Sequence, residues 1–460
     1  MSFESLGLAP TLLSSIAQTG FTEPTPVQRQ AIPQAIAGHD LMVSSQTGSG
    51  KTAAFMLPAL NKLAIAGDSP LRTGGVRVLV LTPTRELALQ VTDATRMYSK
   101  GMRINIATVV GGMPYGAQLK ALSRRVDVLV ATPGRLLDHV QSRRVDLSQV
   151  TTLVLDEADR MLDMGFYDSL AEIIQQTPSR RQTLLFSATY PESLEQLTDE
   201  FQRNPAQVRI EQSAPENPIE QRFYEIQPEQ RFASVLRLLA ANRPQPCIAF
   251  CHTRQQCQEL ADYLNKEGIS AQALHGDMEQ RERDQVLALF ANQSCSVLTA
   301  TDVAARGIDI AGVAAVINVE LAADPAAHVH RIGRSGRAGQ SGLALSLVAP
   351  RELKRLKPIE EAYGELNWQD IERLPERPDR PLIAPMRTLA VAGGRKDKLR
   401  PGDLLGALTG EAGLTGDAIG KISISDYQAL VAIRRDQAKL ALQRLEDGKI
   451  KGRRFKVRLI

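Results

Sequence analysis

Short apolar runs rich in Val, Ile and Leu recur along the chain, separated by stretches with the pattern of amphipathic helices. The first group of runs is HDLMVSS, VRVLVLTP, INIATVVG, VDVLVATP, TTLVLDEA and QTLLFSAT. Continuous apolar runs, in contrast to alternating ones, are typical of parallel strands that helices cover on both faces. The pattern breaks at residues 203–218, where Pro and polar residues cluster as in a linker. It resumes as CIAFCHT, SAQALHG, CSVLTATD, AAVINVE and LALSLVAP, so the chain predicts two successive α/β units.

A second stretch rich in Pro and charge, RLPERPDRPLIAP at 373–385, separates a C-terminal tail from the second unit. The tail predicts the order strand, helix, strand, strand, helix, strand. This βαββαβ order is the ferredoxin-like α+β arrangement of the RNA-recognition motif, although the order alone does not fix a function. The predicted boundaries are 1–207 for the first unit, 208–217 for a linker, 218–350 for the second unit, 351–384 for a second linker and 385–460 for the tail.

The charge is concentrated in the tail. Residues 381–460 hold 16 Lys or Arg against 8 Asp or Glu, whereas the whole chain of 460 residues has a net charge of only +4. A basic module on a nearly neutral body favours an anionic partner such as nucleic acid, and the alternative is an ordinary solvated surface.

The remaining composition is that of a soluble globular protein. No apolar run approaches the ~18 residues that a membrane span needs, and the N-terminus does not have the pattern of a signal peptide. Four cysteines in so long a chain indicate a reducing compartment. We therefore expect a cytoplasmic protein.

The stretch SSQTGSGKT, residues 44–52, follows the run LMV and is typical of a phosphate-binding loop. Its glycines allow backbone N–H groups to approach phosphate oxygens, and the helix that follows presents its positive N-terminus. Lys51 can then reach the β- and γ-phosphates, and Thr52 can bind Mg²⁺. Ser45 stands where the strict pattern has its first glycine, which leaves a plain glycine-rich turn as the alternative.

The stretch LVLDEADRML, residues 153–162, places three acids directly after a buried strand. A solvated turn is the simple interpretation. A nucleotide with Mg²⁺, however, needs an acid at the end of a neighbouring strand, where parallel sheets bind ligands. We therefore predict that Asp156 binds the metal, that Glu157 polarises the attacking water, and that Asp159 ties this stretch to neighbouring loops.

Residues 156–159 read D-E-A-D, and further motifs accompany them in order: FTEPTPVQRQAIP, PTRELALQ, GG at 111–112, TPGR, SAT, QRER, ATDVAARGIDI and HRIGRSGRAG. Over nearly all of residues 1–350 the chain resembles the DEAD-box ATP-dependent RNA helicases. The resemblance implies two tandem RecA-like domains, which are α/β folds, and an enzyme that hydrolyses ATP with Mg²⁺ when RNA is bound.

The resemblance also implies roles for individual residues. The catalytic set is Glu157, Asp156, Lys51, Arg334 and Arg337, in which the two arginines act as arginine fingers from the second unit. The metal ligands are Thr52 and Asp156. The nucleotide contacts are Phe21, Gln28, Ser45, Gln46, Thr47, Gly48, Ser49, Gly50, Lys51, Thr52, Asp309, Arg334 and Arg337. The residues that couple motifs are Asp159, Ser187, Thr189 and His330.

Two of these roles have structural alternatives. Phe21 fits a place in the apolar core as well as a place near the adenine, which Gln28 would contact with its amide. His330 fits a structural role as well as coupling to the acidic motif.

The resemblance further implies contacts with the backbone of single-stranded RNA. They are Thr84, Arg85, Gly112, Thr132, Gly134 and Arg135 in the first unit, and Thr301 and Asp302 in the second. Such contacts carry no sequence information. A strand held bent across both units could not continue as a duplex, so closure on ATP would separate a short duplex locally.

The tail resembles the C-terminal module of the DbpA-type subgroup, which binds a hairpin of large-subunit (23S) ribosomal RNA. Its only aromatic residues are Tyr427 and Phe455, so a base-stacking platform is nearly absent. We therefore predict recognition mainly through cations, among them Lys449, Lys451, Arg453, Arg454, Lys456 and Arg458.

Together these features predict an ATP-dependent RNA helicase that remodels 23S ribosomal RNA during assembly of the large (50S) subunit. Two alternatives remain: an ATP-gated RNA clamp or binding factor with little unwinding, and a DNA translocase on the same core. We expect RNA and precursor particles as partners, no membrane or DNA, and a monomer.

Overall fold

The computed structural model describes residues 2–45, 48–65, 75–188, 192–210, 219–305, 313–336, 342–411 and 413–460. The described residues form two compact units, the first ending at residue 210 and the second beginning at residue 219.

The first unit contains a sheet of seven parallel strands. Their bounds are β1 Leu41–Ser44, β2 Val78–Leu81, β3 Ile106–Val109, β4 Val128–Ala131, β5 Thr152–Leu155, β6 Gln182–Ser187 and β7 Ala206–Arg209. The order across the sheet is β3-β4-β2-β5-β6-β1-β7. The strands that precede the phosphate-binding loop (β1) and the acidic motif (β5) therefore both neighbour β6.

Helices cover both faces of this sheet. Their bounds are α1 Pro10–Ala17, α2 Pro26–Ile36, α3 Lys51–Ile65, α4 Arg85–Tyr98, α5 Tyr115–Leu122, α6 Pro133–Gln141, α7 Ala158–Asp163, α8 Tyr167–Gln175 and α9 Glu192–Phe201. Successive residues of β2 enter different cores: Val78 and Val80 pack on one face, and Leu79 and Leu81 pack on the other. Burial of each such side chain contributes roughly 1.5–3 kcal/mol. This two-sided burial is the physical reason why the strands read as continuous apolar runs.

The second unit contains another sheet of seven strands. Their bounds are β8 Glu220–Glu225, β9 Cys247–Cys251, β10 Ala271–Leu274, β11 Val297–Thr301, β12 Ala315–Asn318, β13 Leu343–Val348 and β14 Trp368–Gln369. All pairs are parallel, in the order β10-β11-β9-β12-β13-β8-β14. The helices are α10 Arg231–Asn242, α11 Arg254–Lys266, α12 Gln280–Ala291, α13 Asp302–Ala305, α14 Pro325–Ile332 and α15 Lys357–Tyr363. The four cysteines of the chain lie in this unit, and all are buried and free.

The segment 351–384, which the sequence analysis treats as a linker, packs along the second sheet. It contains α15, and it contributes β14, which pairs with β8. The Arg237 side chain donates to the carbonyls of Ile371, Glu372 and Leu374. The Arg243 side chain forms an ion pair with Asp379 and donates to the next two carbonyls. Segment 351–384, called the strap below, is therefore packed against the second unit, although its Pro- and charge-rich composition is typical of a linker.

The tail is a small α+β domain. Its elements are β15 Met386–Val391, α16 Pro401–Gly406, β16 Ile419–Ile424, β17 Ala429–Arg434, α17 Ala438–Asp447 and β18 Val457–Leu459, with a π-turn at Ala407–Glu411. The antiparallel sheet has the order β16-β17-β15-β18, and alternate strand residues such as Leu389 and Val431 pack against the two helices. The predicted βαββαβ order is confirmed.

The predicted fold class is also confirmed, because two parallel α/β sheets precede a small antiparallel domain. Each apolar run that the sequence analysis names coincides with a strand. Three further strands of the two parallel sheets, β7, β8 and β14, have no such run because they contain polar residues and are partly exposed. Among the described helices, none combines the length and the hydropathy that a membrane-spanning segment requires.

Candidate nucleotide site and RNA-binding surfaces

The phosphate-binding loop connects β1 to α3 at the carboxyl edge of the first sheet. Gly48 and Gly50 have φ angles of 84° and 93°, a region that L side chains rarely adopt. Lys51 is buried, and its ammonium donates to the Ser45 carbonyl at 2.9 Å. The Ser45 and Ser49 hydroxyls lie 3.1 Å apart. The described part of the loop thus places two hydroxyls and one buried cation at the start of a helix, which suits a polyphosphate.

Gln28 ties α2 to this loop. Its amide oxygen accepts from the Thr25 N–H at 3.0 Å, and its amide nitrogen donates to the Gly50 carbonyl at 3.1 Å. Only 3% of the residue is exposed. Both ends of the amide are therefore engaged within the protein, so a contact with adenine would require one of these partners to be shared or exchanged.

Phe21 is the partly exposed member of an aromatic cluster whose other members, Phe3 and Tyr98, are buried. Its ring stacks on Phe3 with centroids 6.4 Å apart and lies 6.2 Å from the ring of Tyr98. Phe21 is 40% exposed, so this packing leaves part of its side chain accessible to a ligand.

The acidic motif begins at the end of β5. Asp156 and Asp159 are each 2% exposed, and Glu157 is 7% exposed. Glu157 has the left-handed backbone angles φ 51° and ψ 51°, which are uncommon for a non-glycine residue and indicate local strain. Its Oε2 atom is buried and has no hydrogen-bond partner in the described residues, with the Arg160 Nε atom 3.5 Å away. A carboxylate with free acceptor capacity in a low-dielectric site is suited to polarise a water molecule.

Asp159 links the acidic motif to the end of β6. One of its oxygens accepts from the Arg160 N–H at 3.0 Å, and the other accepts from the Ala188 N–H at 3.3 Å. Ser187, the last residue of β6, is fully buried, and its carbonyl accepts from the Ser45 N–H. Hydrogen bonds thus connect the phosphate-binding loop, β6 and the acidic motif.

The donor set of this site fits Mg²⁺. Burial raises the pKa of Asp156 to about 7, an effect that Lys51 opposes and Glu157 reinforces. A divalent cation would favour the ionised carboxylate, and the Thr52 hydroxyl in the first turn of α3 supplies a second hard oxygen ligand. In the described part of the chain no group of three or more His, Cys, Asp or Glu forms a metal cluster. Mg²⁺ does not need one, because nucleotide phosphates and water supply most of its ligands.

Several residues predicted for these sites lie outside the described residues: Gln46, Thr47, Thr189, Asp309 and Arg337.

The predicted RNA contacts of the first unit lie at the carboxyl edge of the same sheet. Thr84, Gly112 and Thr132 follow β2, β3 and β4, and these three strands are neighbours. The Thr84 hydroxyl accepts from the Leu87 N–H and caps α4, and the Arg85 side chain donates to the Gly112 carbonyl at 3.2 Å. Gly134 has open space where a side chain would stand. The edge therefore presents hydroxyls, a guanidinium and accessible backbone, which are the groups that contact sugar and phosphate.

Arg135 is held by an aromatic pair that the sequence analysis did not identify. Its guanidinium lies over the Tyr115 ring, 5.6 Å from the centroid, and donates to the Met113 carbonyl at 3.3 Å. The other partner of Tyr115 is His139, whose ring stacks at 4.6 Å and 13°. His139 is fully buried, neither ring nitrogen has a hydrogen-bond partner in the described residues, and burial lowers its pKa. A neutral imidazole thus supports the tyrosine that positions Arg135, a contact that only tertiary packing reveals.

In the second unit, Thr301 and Asp302 follow β11. The Thr301 hydroxyl accepts from the Ala304 N–H at 3.4 Å. The Asp302 carboxylate accepts two hydrogen bonds, at 2.6 and 2.7 Å, from the buried guanidinium of Arg331. A phosphate contact at Asp302 would therefore come from its backbone. The structure also brings Thr253 and Gly276, at the ends of β9 and β10, to this edge, and their place after strands is the sequence signal that could have found them.

His330 and Arg334 belong to α14 and the turn that follows it. They are 5% and 6% exposed. Arg331, between them, also donates to Asn318 and the Glu320 carbonyl, so it fixes α14 to the ends of β11 and β12.

The open face of the tail's sheet is partly covered by the second sheet's domain. Thr388 of β15 points away from the helices and is fully buried. Its hydroxyl is within hydrogen-bond distance of the Ser294 hydroxyl, at 2.9 Å, and of the Asn292 amide, at 3.3 Å. The Met386 N–H donates to the Gln293 carbonyl. No aromatic residue stands in β15, β16, β17 or β18, so this face lacks a base-stacking surface.

The basic residues of the tail meet where three loops converge. The N–H groups of Arg395 and Lys396 donate to the Ser425 and Asp426 carbonyls. The Lys451 ammonium donates to the Lys398 carbonyl at 2.9 Å. We call these loops, residues 393–400, 425–428 and 449–456, the basic loop end.

The two aromatic residues of the tail differ in exposure. Tyr427 lies on the basic loop end and is 73% exposed. Phe455 packs beside the core, so close to Gly393 that a Cβ there would lie 2.4 Å from its ring. All six predicted cations are exposed: Lys449, Lys451, Arg453, Arg454, Lys456 and Arg458.

Comparison with known protein families accounts for nearly the whole chain. A family model described as DEAD/DEAH box helicase matches residues 25–197, and a helicase conserved C-terminal domain matches residues 230–339. A DbpA RNA binding domain matches residues 388–459. The ATP-dependent RNA helicase DbpA of Escherichia coli is 47% identical over 455 residues, which is 98% of both chains. The chain belongs to the DEAD-box helicase family.

Other members of the DEAD-box family are similar over the two sheets. The RNA helicase CshA of Bacillus cereus is 42% identical over 360 residues, which is 78% of this chain and 67% of CshA. A structure of S. cerevisiae Dbp5 bound to RNA and ADP BeF3 matches with a TM-score of 0.72 and 32% identity, over 81% of this chain and 96% of Dbp5. This DEAD-box protein is therefore an ATP-hydrolysing RNA helicase that carries a DbpA-type RNA-binding domain.

Proposed function

We propose that this helicase couples RNA-stimulated ATP hydrolysis to local remodelling of 23S ribosomal RNA during assembly of the large (50S) ribosomal subunit. The observation that carries the proposal is the pairing of an ATP site in the first unit with a DbpA-type domain whose cations converge on one loop end. This substrate would place the protein in the cytoplasm, acting as a monomer on precursor particles.

In the proposed nucleotide site, the phosphate-binding loop and Lys51 hold the phosphates. Thr52 and Asp156 would hold Mg²⁺, which would offset negative charge on the phosphates. Glu157 would orient the attacking water, since its carboxylate retains a free acceptor atom in a buried site. Arg334 and Arg337 would stabilise charge on the transferred phosphoryl group when the two units close. Arginine fingers contribute ~10³–10⁵ in rate in related nucleotidases.

The carboxyl edges of the two sheets would hold the sugar–phosphate backbone of one RNA strand. The groups at these edges are hydroxyls, guanidiniums and backbone N–H groups, which bind phosphate without reading sequence. Preference for a particular RNA would then depend on the tail. In the tail, the basic loop end offers cations and the exposed Tyr427, whereas the open sheet face is partly covered at Thr388.

The test is phosphate release by the full-length protein with a 23S ribosomal RNA fragment, an unrelated structured RNA and DNA, repeated with Glu157→Gln. We expect the ribosomal fragment to stimulate most and the variant to retain ATP binding while hydrolysis nearly stops. Equal rates with the three nucleic acids would contradict targeting. Substantial hydrolysis by the variant would contradict the role of Glu157. Hydrolysis without strand separation would favour the ATP-gated clamp.

A further inference from the structure

A basic cavity lies at the amino edge of the first sheet, opposite the edge that carries the nucleotide and RNA residues. The cavity has a volume of about 530 Å³, and its apolar floor includes Val76, Val126 and Leu147, which precede β2, β4 and β5. Arg124, Arg143 and Arg144 line its rim and are exposed. None of these three arginines forms an ion pair or side-chain hydrogen bond with a described residue, in contrast to Arg77 and Arg125 nearby, which both bind Asp127.

The charge around this cavity is not a property of the whole domain. Residues 100–150 hold eight Lys or Arg against three Asp or Glu, whereas the rest of residues 1–207 hold eleven against sixteen. Among the described residues that line the cavity the one acid is Asp146, which uses a carboxylate oxygen to accept from the Ser148 N–H. The rim therefore presents a net positive charge that attracts an anion.

Arg143 occupies a position where its backbone is strained. It follows the end of α6 with φ 52°, and its own N–H and that of Arg144 close the helix by donating to the Val140 and His139 carbonyls, respectively. Glycine is the usual residue at such a position, because a side chain there costs roughly 1–2 kcal/mol. Arg243 ends α10 in the same way with φ 45°, but its side chain binds the strap through Asp379 and two carbonyls. Arg143 has no comparable contact within the described residues.

Two helices connect the cavity to the proposed RNA edge. α6 begins beside Gly134 and Arg135 and ends at the cavity, and α5 begins at Tyr115 and ends at Leu122, which lines the cavity. At 1.5 Å per residue, the nine residues from Gly134 to Arg143 span about 13 Å. This distance corresponds to roughly four base pairs along a duplex.

We propose that Arg124, Arg143 and Arg144 form a second RNA contact, which binds backbone phosphates of the duplex that flanks the strand held at the carboxyl edge. The contact rests on the proposed function for the position of that strand. Exposed guanidiniums bind phosphate without reading sequence, so the site would hold the flanking duplex of any RNA. It would anchor one arm of the substrate while the neighbouring strand is bent.

The test compares two RNAs with the full-length protein: a single strand just long enough to saturate ATPase stimulation, and the same strand extended at either end by a stable duplex. The variants are Arg124→Gln, Arg143→Gly and Arg144→Gln, singly and together. Arg96→Gln is the control, since Arg96 is an exposed arginine on α4 whose partner is Asp93. We expect the triple variant to bind the extended RNA about tenfold more weakly. A plot of the logarithm of the association constant for the extended RNA against the logarithm of the salt concentration should become less steep. The magnitude of its slope should decrease by about 2–3, at 0.7–0.9 for each lost phosphate contact.

Affinity for the short strand and its ATPase stimulation should remain unchanged. Arg143→Gly alone should unfold at the same or a higher temperature than the wild type, so that weaker binding of the extended RNA cannot be attributed to misfolding. The proposal would be overturned if the triple variant lost the same affinity for both RNAs, or lost affinity for neither. Because neither RNA is ribosomal, the result does not depend on targeting to 23S RNA. A wild-type protein that fails to bind the short strand would instead contradict the proposed function.

Discussion

Replacing Gly50 by Ala should disrupt the phosphate-binding loop in two ways, through backbone strain and through a steric clash. The backbone of Gly50 has φ 93°, and a Cβ built there would lie 2.4 Å from the Gln28 amide nitrogen and 3.1 Å from the Thr25 hydroxyl. An L-residue with positive φ costs roughly 1–2 kcal/mol. Displacement of the Gln28 amide would also break its hydrogen bond to the Gly50 carbonyl, which contributes about 0.5–1.5 kcal/mol.

The total of about 1.5–3.5 kcal/mol would be lost from the nucleotide-binding conformation of the loop, because the added Cβ would meet the side chains of Gln28 and Thr25 beside it. At 1.4 kcal/mol for each factor of ten, ATP affinity should fall about 10- to 300-fold. Equilibrium titration with a fluorescent ATP analogue measures this, and thermal unfolding measures the accompanying loss of stability. Gly116→Ala is the control, since Gly116 lies in α5 with open space around it. This variant should keep both its ATP affinity and its thermal stability. If Gly50→Ala bound ATP within about threefold of the wild type, the proposed coupling between Gln28 and the loop would be wrong.

Four further results should follow. Glu157→Gln should lower the rate of ATP hydrolysis at least ~10²-fold while ATP affinity stays within a few fold, as single-turnover assays can measure. Tyr115→Leu should raise the RNA concentration for half-maximal stimulation several-fold at nearly constant kcat, and Tyr115→Phe should behave like the wild type, because the ring positions Arg135. Burial lowers the pKa of His328 to about 4, below its ordinary value near 6.5, so the unfolded state takes up a proton first as pH falls. The wild type should therefore lose up to ~3 kcal/mol relative to His328→Gln between pH 6.5 and 4, measured by urea unfolding. Replacing Arg453 and Lys456 by Gln should reduce the salt dependence of hairpin binding by a slope of about 1.5, and an unchanged slope would contradict recognition through the basic loop end.

The interior strands could be predicted from the sequence because both of their faces are buried. A short apolar run such as VLVL in β2, flanked by helical stretches, predicts a strand that is buried on both faces. β7, β8 and β14 could not be predicted in this way, since their sequences contain polar residues and are partly exposed. The strap at 351–384 could not be predicted for a related reason. Isolated apolar residues such as Ile371 and Leu382 are buried in the core of the second unit, and Arg237 and Arg243 donate to its backbone carbonyls, but neither kind of contact leaves a periodic pattern in its sequence.

The residues of the candidate site also fall into two groups, those that the local sequence indicates and those that only the fold brings together. Lys51, Asp156 and Glu157 follow strands with a recognisable local chemistry, so the sequence indicates them directly. The engagement of Asp302 by Arg331 and the support of Arg135 by Tyr115 and His139 join residues from different elements. Only tertiary packing brings these groups together, and a single sequence contains no signal for it.

The proposed targeting to the large subunit is tested most directly by the rate of ATP hydrolysis by the full-length protein with fragments of 23S ribosomal RNA. Fragments of small-subunit ribosomal RNA, matched in length and base composition, provide the comparison. We expect one hairpin-containing 23S fragment to stimulate hydrolysis at least ~10-fold more, at limiting RNA, than any matched fragment, since a tenfold preference requires only ~1.4 kcal/mol of specific binding. The same stimulation by both sets of fragments would contradict the claim that the tail directs this helicase to the large subunit.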